Sequence, residues 1–149
     1  MAPVRPPRPR SRCVAGGNVV VLVDTNVINE FMRPAPSPRV VAWAGRVHRF
    51  HVSVVTVDEI WFGLAARPNK HLEEWFASLI SRRCDVLPTT HAIAEWSGRT
   101  RGRLRARGVQ RSHADMLIAG TAHEHGLELA TRNVRDFAGC GVRLVNPFA

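Results

Sequence analysis

Four carboxylates stand out in this basic chain. Asp24 ends an unbroken apolar run, Val19 to Val23, and Glu59 follows a second β-branched run, His51 to Thr56. Asp115 lies among Met116, Leu117, Ile118 and Ala119, and Asp136 comes shortly after the run Leu127 to Ala130. Each falls at a strand-to-helix junction or near the start of a helix. The remaining acids read differently: Glu30, Asp58, Asp85 and Glu95 as solvated, Glu73 and Glu74 on a polar helix face, Glu124 and Glu128 flanking a helix end. In a parallel sheet the carboxyl ends of the strands share one edge, where open α/β folds bind ligands. Asp24, Glu59 and Asp136 would converge there, with Asp115 reaching in from a helix N-terminus. Converging carboxylates repel one another and need a cation to ionise together. An all-oxygen set without His or Cys suits Mg²⁺ or Mn²⁺. Such an ion beside a basic surface points to phosphodiester chemistry, in which the metal activates water and neutralises charge on the phosphate.

Each acid also has a local explanation. Asp24 can N-cap the next helix, Glu59 can close a capping box with Thr56, and Asp115 can simply favour a helix dipole. What separates four independent caps from one shared site is whether the elements bring them together. Five apolar residues running into Asp24 predict a strand buried on both faces, as in a parallel sheet. Val27, Ile28 and Phe31 then take helical spacing, ended by Arg33-Pro34. Val40, Val41, Ala44 and Val47 predict a second helix. His51 to Thr56 predicts the second strand, with a helix opened by Thr56 and carrying Ile60 and Leu64. Asn69 caps an amphipathic helix through Leu72, Trp75, Phe76, Leu79 and Ile80. A strand at Asp85 to Leu87 follows, then a long helix from Thr89 or Thr90 toward Arg107, stopped by Gly108. Ser112 opens a helix that ends at Gly126; Leu127 to Ala130 is a strand, Asn133 to Phe137 one helical turn and Val142 to Val145 a last strand. Alternating strands and helices define an α/β fold with a central, mostly parallel sheet.

The 149 residues fit one domain, and 21 Lys+Arg against 12 Asp+Glu give a net charge of +9, which favours a polyanionic partner. Residues 1–17, rich in Pro and Arg, read as a disordered basic arm ahead of a domain at 18–149. Cys13, Cys84 and Cys140 are scattered and form no CxxC pair, so neither a disulfide framework nor a zinc site is indicated and a reducing cytoplasm is the simplest compartment. No apolar stretch approaches the ~20 residues of a membrane span. Trp43, Trp61, Trp75 and Trp96 fall in helical segments as core or interface residues; His123 and His125, two apart on a helix, point away from each other and do not make a metal pair.

Val23 to Pro34, the Ser53-x-x-Thr56-x-x-Glu59 block, Ala114-Asp115-x-x-Ile118-Ala119 and Thr131-Arg132-Asn133-x-x-Asp136-Phe137 together resemble the PIN-domain ribonucleases, in particular the VapC/FitB-type toxins of bacterial type II toxin–antitoxin modules. The likeness runs from Val19 to Ala149. It implies a three-layer α/β/α sandwich. It implies a site in which Asp24, Glu59 and Asp115 are the first three acids, with Asp24 and Asp115 the principal metal ligands. Asp136 would be the fourth, with Asn133 a polar neighbour, while Thr25, Asn26 and Thr131 orient ligands or phosphate. The implied activity is Mg²⁺-dependent endonucleolytic cleavage of RNA, water attacking phosphorus and a 3′-hydroxyl leaving. The implied partners are a second copy of the chain and a cognate antitoxin, through which alone operator DNA would be reached.

Arg99, Arg101, Arg103, Arg105, Arg107 and Arg111 lead into the Asp115 helix. Arg99, Arg103 and Arg107 share one helical face and, with Arg111, are candidates to hold RNA phosphates. Two rival functions remain open. One is a catalytically silent nucleic-acid-binding module with structural carboxylates. The other is a phosphatase-like hydrolase with Asp24 as nucleophile, which usually needs a second Asp where Asn26 stands.

Overall fold

The computed structural model describes residues 20–149; the expected basic arm, Cys13 and the first residue of the apolar run lie outside them. Five strands form one sheet in the order β3-β2-β1-β4-β5: β1 (Val20–Val23), β2 (Arg49–Ser53), β3 (Cys84–Leu87), β4 (Glu128–Ala130) and β5 (Leu144–Val145). Every pairing is parallel. β1 lies at the centre because its side chains need cover on both faces. Val21 and Val23 point into one apolar layer with Val27, Ile28, Phe50, Ile60 and Phe76, and Leu22 points into the other with Met116, Ile118, Leu129 and Phe137. Val21, Leu22 and Val23 are fully buried, each contributing roughly 1.5–3 kcal/mol of hydrophobic stabilisation.

The first layer is built by α1 (Thr25–Phe31), α2 (Pro38–Ala44), α3 (Val54–Ala66) and α4 (Lys70–Arg83). The second is built by α5 (His91–Ala106), α6 (His113–His125) and a 3-10 turn at Val134–Phe137. The expected three-layer sandwich is therefore present. Asn69 caps α4, Thr90 caps α5 and Ser112 caps α6, each side chain accepting from the backbone N–H three residues ahead of it in the first turn. Gly126 ends α6 with φ +63°, a left-handed conformation that suits glycine.

Two local expectations fail. The run His51 to Thr56 is not one strand: β2 ends at Ser53, whose Oγ accepts the Val55 N–H at 3.1 Å and starts α3 three residues earlier than Thr56 would. Thr56 and Glu59 thus form no capping box. Glu30 is not solvated. It is buried, accepting the Ser37 N–H at 2.7 Å and pairing with Arg33 at 3.2 Å, so it ties α1 to the loop before α2. No helix among the described residues is long and apolar enough to cross a membrane.

α5 and α6 approach closely because Gly120 has no side chain. A Cβ there would meet Ile93 Cγ2 and Trp96 Cε3 at 3.1 Å and the Ile93 carbonyl at 3.2 Å. Gly120→Val should therefore cost about 1–3 kcal/mol through overpacking. Gly63→Ala on α3, where nothing lies within 4 Å, should instead gain up to ~1 kcal/mol of helix propensity; urea denaturation of both variants checks the pair. The Ser37 N–H, foremost, and Arg33 hold the Glu30 carboxyl below its ordinary 4.5 against the opposing effect of burial. A lowered value means that ionised Glu30 stabilises the fold fully above pH 4.5 and that this contribution is lost as pH falls through the folded value. Glu30→Gln should lower Tm clearly at pH 7 and much less at pH 3. An equal loss at both would show that shape, not charge, is what Glu30 supplies.

Candidate active site

The register of the two central strands creates the site. Val23 pairs with Ala130, and the pairing continues as the Asp24 N–H donates to the Ala130 carbonyl at 2.9 Å. Asp24 and Thr131 are thus neighbours one residue past the ladder, and Thr131 Oγ1 donates to Asp24 Oδ2 at 2.7 Å. Asn26 Nδ2 donates to the same oxygen at 3.0 Å, while the Thr25 N–H donates to Oδ1 at 2.8 Å. The capping role expected as an alternative for Asp24 is real, but it accounts for only one of three donors. Asn26 is itself oriented, its Oδ1 accepting the Arg132 N–H at 3.1 Å.

The same turn reaches the second carboxylate. Thr25 Oγ1 donates to Glu59 Oε1 at 2.8 Å and lies 3.3 Å from Thr56 Oγ1. Starting α3 at Val54 places Glu59 in its second turn, facing α1 rather than its own helix end. Asp115 sits in the first turn of α6, its N–H donating to Ser112 Oγ at 3.0 Å. Asp136 is exposed on the 3-10 turn, and Asn133 contributes its N–H to Thr131 Oγ1 at 3.1 Å.

Burial, above all, raises the Asp24 carboxyl from 3.8 to about 6, and repulsion from Asp115 and Glu59 adds to it; the bonds from Thr131 and Thr25 oppose the rise. That displacement amounts to roughly 3 kcal/mol against the charged form at neutral pH. Burial also raises the Asp115 carboxyl, helped by Asp136 and Glu59 and opposed by Ser112 and Arg111. Asp24 is thus repelled by Asp115 and Glu59, and Asp115 by Asp136 and Glu59. Among the described residues none of them forms an ion pair with Lys or Arg. Nor do any three His, Cys, Asp or Glu side chains among those residues already surround one point as a closed ion cage. The fit to a divalent cation lies in the donors: oxygen only, mutually repelling and lacking a cationic partner. Mg²⁺ suits such a set because it keeps several waters and needs only one or two carboxylates.

Asn26 holds the Asp24 carboxylate as an amide donor, where a phosphatase-like hydrolase would need an acid. The basic run divides. Arg99 is paired with Glu95 at 2.9 Å, and Arg103 and Arg107 are exposed outside the cleft that Arg111 lines with Arg101 and Arg105. His123 stacks on Trp96 with ring centroids 4.9 Å apart. Sequence reasoning missed Arg132, whose guanidinium lies 4.9 Å over the Phe148 ring and whose N–H orients Asn26.

An all-parallel sheet between two helical layers, with acidic side chains gathered past the end of its central strand, defines a class of α/β domain. The chain belongs to the PIN domain family, which matches residues 21–139. It is 33% identical over 139 residues to the toxin FitB of Neisseria gonorrhoeae, covering 87% of this chain and 99% of that protein. It is 31% identical over 140 residues to the VapC ribonuclease Y4jK of Sinorhizobium fredii, covering 87% and 98%. The structure of FitAB bound to an IR36 DNA fragment superposes with a TM-score of 0.75 at 30% identity, over 87% of this chain and 96% of that one.

Removing the Thr131 hydroxyl takes the shortest bond from Asp24 while keeping side-chain shape. Thr131→Val should weaken Mn²⁺ binding by about 10–100-fold, measured as the Mn²⁺ concentration that gives half the full rise in Tm. Thr131→Ser should restore it. No Mn²⁺-dependent rise in the unaltered protein would sink the metal reading.

Proposed function

We propose that this chain is a Mg²⁺-dependent endoribonuclease that acts as the toxin of a type II toxin–antitoxin module, with Asp24, Glu59, Asp115 and Asp136 as its acidic centre. The observation that carries the reading is the Thr25–Asn26 turn, which with the Thr131 hydroxyl fixes Asp24 from three donors and holds Glu59 by the Thr25 hydroxyl. Kinship with a FitB toxin and a VapC ribonuclease supports it. A bound Mg²⁺ or Mn²⁺ would generate the attacking hydroxide and neutralise charge on the scissile phosphate. In this reading Asp24 and Asp115 would hold it, and Glu59 and Asp136 would add further oxygens or bind its waters. Thr25, Asn26 and Thr131 keep Asp24 in one orientation, and the Asn133 N–H keeps the Thr131 hydroxyl directed at it.

The proposed partners are RNA, a second copy of the chain and a cognate antitoxin, with operator DNA reached through the antitoxin. FitAB bound to DNA is the structural precedent. An apolar cleft of about 390 Å³ bordered by Phe31, Val41, Phe50, Trp75 and Leu79 gives a protein partner a surface separate from the acids.

Inducing the unaltered chain without an antitoxin should arrest growth and create new RNA ends. Asp24→Asn and Asp115→Asn should do neither, with cleavage reduced at least ~100-fold. Arrest by all three chains alike would favour a silent RNA-binding module, and sequencing the new ends would identify the target.

A further inference from the structure

A cleft lies not at the carboxylates but beside them. It encloses about 550 Å³ between α5 and the loop into α6, lined by Gly98, Arg101, Gly102, Arg105, Arg111 and Ser112 among others. On α5, Gly98, Arg101, Gly102 and Arg105 form one helical face: two glycines one turn apart, each followed three residues later by an arginine. A Cβ on either glycine would meet nothing within 4 Å, so the floor is bare helix and the arginines are its walls. The opposite wall is anchored. Arg111 Nη2 donates to the Ala138 carbonyl at 2.9 Å, and Arg111 Nε is buried with no partner. Among the described residues no carboxylate pairs with Arg101, Arg105 or Arg111, whereas Arg99 on the neighbouring face is held by Glu95.

The cleft and the acids are joined at one point. Ser112, at the end of the cleft, caps the Asp115 N–H, and Arg111 is close enough to draw the Asp115 carboxyl downward. A strand whose scissile phosphate lies at the acids would carry its neighbouring phosphates past Ser112 into the arginines. We propose that this cleft binds the backbone phosphates of single-stranded RNA flanking the cleavage point, with Arg101, Arg105 and Arg111 as the contacts. The volume is that of a small-molecule pocket, room for a nucleotide or two of single strand. The bare glycine floor lets ribose or base lie against the helix. Phosphate contact thus shifts from the Arg99, Arg103 and Arg107 face to the other side of α5.

This inference rests on the nuclease reading but is tested without catalysis. Anisotropy of a short labelled single-stranded RNA of mixed sequence, in EDTA and checked intact on a gel, reads affinity alone. Arg101→Ala with Arg105→Ala should lower affinity about tenfold or more and flatten its salt dependence by about one unit of log K per log salt. Arg39→Ala with Arg46→Ala, which removes equal charge from exposed positions around α2, should change it less than twofold. Gly102→Leu keeps every charge, favours the helix and fills the cleft; it should weaken binding about as much as the arginine pair while Tm holds or rises. Equal losses from both arginine pairs would reduce the effect to net charge and overturn the proposal. A larger loss from Arg99→Ala with Arg103→Ala, full affinity in Gly102→Leu, or an equal loss for duplex DNA would overturn it too. Cleavage that survives Asp24→Asn would defeat the nuclease reading and leave these binding results standing.

Discussion

A carboxylate at the end of the central strand cannot be left without donors, and the way Asp24 finds them organises the molecule. Its position is fixed by β1, which must be covered on both faces. Its partners come from three places: the following turn, the end of β4 and, through Thr25, α3. The sheet register, the first turn of α1 and the placement of α3 are therefore not separate facts. Each supplies or directs a hydrogen bond at one point, and losing any of them leaves a buried charge less compensated.

Glu30 shows what Asp24 lacks. Both are 4% exposed, yet one carboxyl is held below its ordinary value and the other is raised to about 6. Glu30 has a short backbone donor and an arginine. Asp24 has three neutral donors, no cation, and two acids near enough to repel it. Hydrogen bonds alone do not offset the burial of a charge in such company. The chain has many arginines, but α5 carries several of them alongside the acids rather than among them. Negative charge is thus concentrated at one spot with positive charge along its approach, a distribution suited to holding a cation and guiding a polyanion.

Much of this was legible in the sequence. The apolar run into Asp24 marked the central strand, and the helix caps Asn69, Thr90 and Ser112 sat where polar side chains precede apolar spacing. Asp24 drew notice because charge at a strand end has few structural uses. What failed did so for identifiable reasons. Val54, Val55 and Thr56 are β-branched and prolong the look of a strand, but the Ser53 hydroxyl captures a backbone N–H and turns the chain into α3. Periodicity cannot see that bond. Glu30 was dismissed because its donor is the backbone of Ser37, seven residues away around a loop. The arginines of α5 were assigned to one face by charge spacing. The glycines at 98 and 102, which mark the open face, carry no charge and so leave no trace in that spacing.

The strand order also sets a sequence of events during synthesis. β1 is made first, but its partner on one side is β4, and β4 is in turn completed by β5, where the Thr131 N–H meets the Val145 carbonyl at 2.9 Å. Asp24 and Glu59 leave the ribosome early, whereas the Thr131 segment that fixes Asp24 is locked only once Val145 has emerged. A nascent or truncated chain therefore holds its acids without the geometry that makes them a site. Assembly of the centre waits for β5, the last strand of the sheet, to be made.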